Sequence, residues 1–279
     1  MPASREGGIR RHLLTGEPIL FAPGRAGRPV VDAEGCPFCP GHEAQTPPEL
    51  AHIGEPWTAR VFPNKYPAVE GHEVIVESNV HDDTFDRIAN PVDVVRLYRD
   101  RYDAHRDAAY TSLFKNHGQR AGATIAHIHS QLLPVPFVPA RIEREAAAFT
   151  GERCPLCAPL EHVIQETEHF YWIAPYASSM AYQQWLVPKQ HAAELTELGD
   201  AQLAGLASLL QLASRATLTI GEAYNWSFVN FPRTRAAHFY VDLFPRLTTV
   251  AGFELGTGTF IEIIDPAAAA RRLRHAAAP

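Results

Sequence analysis

His127 and His129 stand two residues apart near the middle of the chain, in FKNHGQRAGATIAHIHSQLLP (Phe114–Pro134), and Gln131 follows two further on. Side chains alternate across a β-pleat, so in a strand all three point to one face. One imidazole of such a set can bind a metal while its neighbour, ~6–7 Å along the same face, does chemistry. A neutral imidazole can attack phosphorus when its other ring nitrogen donates to a backbone carbonyl and so fixes the tautomer. An adjacent amide can then donate to a phosphoryl oxygen as charge gathers on it.

All four cysteines fall in two C-P-x-C pairs, Cys36/Cys39 in CPFC and Cys154/Cys157 in CPLC. The N-terminus, MPASREGGIRRHLL, has no apolar run of signal-peptide length, so the reading is a cytoplasmic protein in which metal ligation outranks structural disulfides. A thioredoxin-like dithiol is the rival for either pair alone. Duplication of the pair favours zinc, which needs four ligands, and each pair is followed by two histidines: His81 and His127, then His191 and His238.

The elements that must carry these groups read as one unit written twice. GHEVIVESNVH ends on His81 and AYQQWLVPKQH on His191, and each apolar run predicts a strand with its histidine just past the end. Stretches of nearly equal length then lead to His127 and His238. Each holds a helix. Asn90-Pro91 opens the first, with proline suited to the first turn and Val94, Val95, Tyr98 and Tyr102 as the apolar stripe, and an Ala- and Leu-rich run from Asp200 to Gly221 forms the second. Pro134, Pro136 and Pro139 predict a break in the chain, followed by a short helix in RIEREAAAF. Strands, helix, strands in each copy make an α+β class with a mostly antiparallel sheet, divided into residues 1–138 and 139–279. In the second copy HIHSQ becomes HFYVD, so His238 holds the position of His127 while Tyr240 replaces His129. Chemistry is therefore expected in the first half, with a structural or binding role for the second.

A chain of 279 residues can bury a substantial core, and 46% apolar with 20% charged residues is ordinary globular composition. The net charge of −6 gives no long-range attraction to nucleic acid, and no stretch approaches the ~20 apolar residues of a membrane span.

At these residues the chain resembles the galactose-1-phosphate uridylyltransferase family of the histidine-triad superfamily, including its nucleotide-sugar phosphorylase relatives. HIHSQ is similar to the family's H-P-H-x-Q core, preceded by a matching F-x-N-x-G and A-G-x-x. ILFAPGRAGRP resembles the opening A-P-x-R-x-x-R-P, and RVFPNKYPAVEGHEVIVES resembles the P-N-K-[FY]-P-A segment. FPRLTTVAGFELGTGTFIEIIDP is similar to the segment on the sugar-phosphate side. The likeness spans nearly the whole chain.

The resemblance implies two pseudo-symmetric histidine-triad-like halves, the first catalytic, and a homodimer. It makes His129 the nucleophile that accepts a nucleoside monophosphate, with Gln131 holding a nonbridging oxygen. Cys36, Cys39, His81 and His127 would bind one zinc ion, and Cys154, Cys157, His191 and His238 a second. Arg25, Arg28, Asn64, Lys65 and Asn116 are the expected phosphate contacts, and Phe253 and Glu254 the sugar contacts. His12, His42, His52, His72, His105, His117, His162 and His169 receive no role. Ile128 replaces the family's proline, and Glu262 and Ala267 replace the asparagine and glutamate of its I-N-x-x-x-P-E segment. The function expected is exchange of UMP between a UDP-sugar and a sugar 1-phosphate through nucleotidyl-His129, with ping-pong kinetics. The rivals are a phosphorylase passing AMP or another nucleotide to phosphate, a histidine-triad hydrolase, and a zinc-stabilised nucleotide-sugar binding module without chemistry.

Overall fold

A computed structural model describes residues 7–27, 35–149 and 154–278. The chain opens with a hairpin of β1 (Gly8–Arg11) and β2 (Pro18–Phe21). Then follow β3 (Ala51–Ile53), β4 (Ala59–Pro63), β5 (Glu73–Val76), α1 (Pro91–Asp103), β6 (Tyr110–His117) and β7 (His129–Val135). After α2 (Ala140–Ala147) the pattern returns as β8 (Val163–Glu166), β9 (Phe170–Ile173), β10 (Gln184–Pro188), α3 (Asp200–Leu218), β11 (Tyr224–Val229) and β12 (Tyr240–Pro245). Two helices close the chain, α4 (Gly252–Thr257) and α5 (Pro266–Ala277).

β3 to β12 form one ten-stranded antiparallel sheet in the order β3-β4-β5-β7-β6-β11-β12-β10-β9-β8. Read outward from the β6–β11 seam, the first half runs β7, β5, β4, β3 and the second runs β12, β10, β9, β8. The internal repeat is thus a repeat of topology, and the two copies are joined edge to edge where Asn116 pairs with Asn225. Helices α1 and α3 pack together on one face of the sheet, and α5 packs on α3. One core runs across both halves there, from Val61, Ile75 and Tyr98 to Leu186, Leu206 and Trp226.

The period-two pattern explains the faces. Ile75 in β5 turns to the helices, while Val74 and Val76 turn to the other side, where Cys36, Phe38 and Phe62 pack on them. In α1, Pro91 occupies the first turn as expected, and Val94, Val95, Tyr98 and Tyr102 are buried. α3 ends at Leu218, with Ile220 and Gly221 in the turn that follows.

Two expectations need correction. The first is the chain break at Pro134: β7 continues through it to Val135, with Pro134 opposite Thr111 of β6. The last partner of β5 on this strand is Leu132, so beyond it β7 is paired on one side only, where a proline without an N–H is tolerated. The crossing to α2 starts after Val135. The second concerns His127, which lies two residues ahead of β7, in a bend and not on the strand. Among the described residues, no helix is long and apolar enough to cross a membrane.

Candidate active site and metal centres

His129 is the first residue of β7 and is 9% exposed. Its Nδ1–H donates to the His127 carbonyl at 2.8 Å, which leaves the lone pair on Nε2. Burial and the nearby Lys115 ammonium hold its pKa down to about 4, so the ring is neutral at pH 7. It lines a cleft on the face opposite α1 and α3, together with Phe38, Phe62, Asn64, Lys65, Val74 and Gln131. The Phe38 ring meets the His129 imidazole edge-on, 5.2 Å between centroids.

Gln131 projects to the same face two residues along, as the strand period requires. Its Oε1 accepts from His72 Nε2 at 3.1 Å and from Asn64 Nδ2 at 3.5 Å. Asn116 on β6 is held through its Oδ1 by Asn225 Nδ2 at 2.8 Å, and its own Nδ2 lies near Gly122 on the cleft rim. Gly122 has φ +92°, a left-handed conformation in which a side chain would be strained.

Other expected contacts fall elsewhere. Lys65 lines the cleft, with its ammonium 3.4 Å from the Gln45 carbonyl. Arg25 donates to the Tyr66 carbonyl at 2.6 Å and so braces the Asn64–Tyr66 turn without lining the cleft. Arg28 lies outside the described residues. Phe253 and Glu254 sit on α4 away from the cleft lining, with Phe253 52% exposed and Glu254 accepting from the Ala251 N–H at the start of the helix.

Behind β7, on the helix side, lies a buried polar group that was not apparent in the sequence. Lys115 Nζ donates to the Glu77 carboxylate and, at 3.2 Å, to the His129 carbonyl. The hydroxyls of Tyr98 and Ser130 both donate to the other carboxylate oxygen. Lys115 is 1% exposed and Glu77 2%. The backbone of His129 is therefore fixed from below by a charged donor. His117, which stacks on Tyr224, is pushed down to about 4 by burial and by Lys115.

The cysteine–histidine clusters assemble as the spacing implied. Cys36, Cys39, His81 and His127 form one and Cys154, Cys157, His191 and His238 the other, each with its ligand atoms within 4.8 Å of one another. Tetrahedral zinc with ordinary bond lengths sets sulfur and nitrogen about 3.6 Å apart. The cross-contacts here are 3.3 Å for Cys39 Sγ–His81 Nδ1, 3.7 Å for Cys36 Sγ–His127 Nδ1, and 3.4 Å for three pairs at the second site. His127 Nε2–H donates to the Ser78 carbonyl at 2.8 Å, and His238 Nε2–H to the Pro188 carbonyl at 2.9 Å, each leaving Nδ1 for a metal. The donor sets fit zinc. Burial and Cys36 push the Cys39 thiol up to about 11, a cost that a divalent cation reverses by holding the thiolate.

In the second half Tyr240 is buried. Helix α2 lies on it: Arg141 bonds Asp242 Oδ2 at 2.8 Å and Glu145 at 2.6 Å, and the Tyr240 hydroxyl donates to Glu145 at 2.8 Å. Gln183 Nε2 closes the group on Asp242 Oδ1 at 2.7 Å. The space that a substrate would need is filled by an ion-paired network.

A family model described as "Domain of unknown function (DUF4921)" matches residues 88–277, well over half of the chain. The chain belongs to the DUF4921 family. It is also 29% identical to an ADP-glucose phosphorylase of Arabidopsis thaliana, over 96% of this chain and 92% of that protein. To a galactose-1-phosphate uridylyltransferase of Thermotoga maritima it is 25% identical, over 96% and 98%. The crystal structure of an ADP-glucose phosphorylase from Arabidopsis thaliana with bound ADP-glucose superposes with a TM-score of 0.81 at 28% identity, covering 96% of this chain and 99% of the other. These matches bear out the family resemblance drawn from the sequence, and this DUF4921 member is an enzyme of the galactose-1-phosphate uridylyltransferase-like group.

Proposed function

We propose that the chain moves a nucleoside monophosphate from a nucleotide sugar to a phosphate acceptor through a covalent intermediate on His129. The observation that carries this reading is the His129 imidazole itself. It is neutral, held through Nδ1 by the His127 carbonyl, and placed on the wall of the cleft beside an amide donor. Nε2 attacks the α-phosphorus, the bond from phosphorus to the bridging oxygen breaks, and sugar 1-phosphate leaves with that oxygen. An acceptor phosphate oxygen then attacks the same phosphorus and the P–N bond breaks, returning neutral His129. Gln131 donates to a nonbridging oxygen throughout, and Lys65, Asn64 and Asn116 supply further donors around it.

Zinc in the Cys36, Cys39, His81 and His127 site would supply no redox chemistry and would act by fixing structure. His127 links that site to the reaction, since its carbonyl orients the nucleophile two residues on. The Cys154, Cys157, His191 and His238 site would hold the second half, whose cleft is closed by α2.

The nucleotide and the acceptor define two readings. UMP exchange with a sugar 1-phosphate follows from the family core. A phosphorylase that passes AMP to inorganic phosphate is favoured by the full-length likeness to an ADP-glucose phosphorylase. Glu262 and Ala267 also stand where the transferase motif has asparagine and glutamate. Cytoplasmic location, read from the sequence, and a homodimer, phosphate contacts from Arg25 and Arg28, and sugar contacts from Phe253 and Glu254, which rest on the resemblance, belong to the same proposal.

Intact mass spectrometry of the wild type and of His129→Asn, after incubation with UDP-, ADP-, GDP- and CDP-sugars without acceptor, tests the scheme. One added nucleoside monophosphate on the wild type alone names the base and the residue. Absence of an adduct with free nucleotide accumulating would point to a hydrolase. Absence of both, in a folded and metal-loaded protein, would overturn the enzymatic reading for these donors.

A further inference from the structure

We infer that His72 is a positioning residue that sets the direction of the Gln131 amide, so that its NH2 end and not its oxygen faces the phosphoryl group. This rests on the roles of His129 and Gln131 proposed above. The polarity starts at two backbone N–H groups, which can only donate. Tyr66 N–H donates to Asn64 Oδ1 at 2.8 Å, so Asn64 presents its Nδ2 at the other end. Ala68 N–H donates to His72 Nδ1 at 3.1 Å, so the neutral ring carries its proton on Nε2. Both donors converge on Gln131 Oε1, His72 at 3.1 Å and Asn64 at 3.5 Å, and the two donor nitrogens lie 3.3 Å from each other, so the Ala68 N–H on Nδ1 is the contact that fixes the His72 tautomer.

An amide whose oxygen is held from two sides has only its NH2 to offer the cleft. The reversed amide would set its lone pairs against the phosphoryl oxygens and leave the His72 Nε2–H facing an NH2. His72 is 3% exposed and Gln131 7%, so bulk water offers little compensation for a reversed amide. The direction of the donor is thus written in the turn from Asn64 to Ala68.

The second half gives an internal comparison. At the position of Gln131 it has Asp242, a carboxylate with no direction to set, and at the position of His72 the sheet register places Gln183. Gln183 accepts the Ser179 N–H at 2.8 Å and donates Nε2 to Asp242 Oδ1 at 2.7 Å, the same relay that runs from Ala68 through His72 to Gln131, and Arg141 adds a second donor. The donor at this strand entry is thus kept in both halves, a histidine where its partner is an amide and a glutamine where it is a carboxylate, which is the exchange that His72→Gln makes in the first half.

The test uses the full chain and the two diastereomers of the active nucleotide sugar with sulfur at one or other nonbridging α-oxygen. Wild type, Gln131→Ala, His72→Leu and His72→Gln are compared for nucleotidylation rate and diastereomer preference. His72→Leu should lose roughly tenfold to a hundredfold in rate, the scale of one charge-assisted hydrogen bond, with little change in KM. It should also lose the diastereomer preference, as Gln131→Ala does. His72→Gln, whose amide NH2 can stand in for Nε2–H, should restore most of both. A folded His72→Leu protein with wild-type preference overturns the assignment. If His72→Leu does not fold, Asn64→Asp, which removes the second donor to Gln131 Oε1, is scored for the same loss of preference. The 15N spectrum of His72 in the wild type gives an independent decision: an Nε2–H tautomer supports the assignment, and an Nδ1–H tautomer overturns it. That spectrum still decides the matter if no donor labels the wild type, a result that would count against the proposed function and not against His72.

Discussion

Replacing Lys115 by methionine should destabilise the chain by about 3 kcal/mol, at the lower end of the range for breaking a buried ion pair. Lys115 and Glu77 are 1% and 2% exposed, so the carboxylate left behind cannot recover its solvation. It does keep the Tyr98 and Ser130 hydroxyls as donors, which argues for the lower end of that range. The His129 carbonyl would also lose the donor that holds it at 3.2 Å. In urea titrations the loss should appear as a lower midpoint at unchanged slope, and in thermal scans as a fall of roughly 6–12 °C. Glu77→Leu combined with Lys115→Met should recover most of the stability, because the repeated half already does without charge there. Ser130 pairs with Lys115, whereas Val241, its counterpart in HFYVD, pairs with Phe228. A loss below ~1 kcal/mol for Lys115→Met, or a double variant no better than the single one, would refute this account of the pair.

Three further outcomes follow from the geometry. His117 has its pKa lowered from 6.5 to about 4 by burial, so the unfolded chain binds the extra proton between those values, and stability should fall as pH drops through that window. His117→Phe should remove on the order of 2–3 kcal/mol of that acid sensitivity, measured as the pH dependence of urea midpoints against the wild type. Elemental analysis should find two zinc ions per chain, with one lost in Cys36→Ser and one in Cys154→Ser; only the first should sharply slow labelling of His129, since only its site contains His127. Arg141→Ala should cost about 3 kcal/mol, because it leaves Asp242 buried with Gln183 as its remaining partner, while the rate of nucleotidylation at His129 stays as in the wild type.

The placement of the candidate residues was legible where local spacing carries it. His129 and Gln131 share a face because a strand has period two, and the cysteine pairs announced their histidines through the repeat. α1 could be read from Pro91 and its apolar stripe. What escaped the sequence was long-range. Lys115 and Glu77 look like ordinary strand charges until β6, β7 and β5 are laid side by side and α1 is set over them. Arg141 and Glu145 read as the solvated face of a short helix, and only the docking of α2 on Tyr240 and Asp242 turns them into the filling of a closed site. His72 looked like one of many unassigned histidines, since the amide it touches is far along the chain. The edge-to-edge union of the halves left no local mark either, because strand pairing between remote segments is set by faces that fit and not by residues in sequence.

That union makes the second half a necessity even though its cleft is shut. β6 carries Lys115 and Asn116, and its outer edge is covered by β11 from His117 back to Leu113. A chain cut at residue 138 would present this edge bare and strip α1 of its packing on α3, and bare edges of this kind recruit other strands. The second half thereby works as the molecule's guard against aggregation.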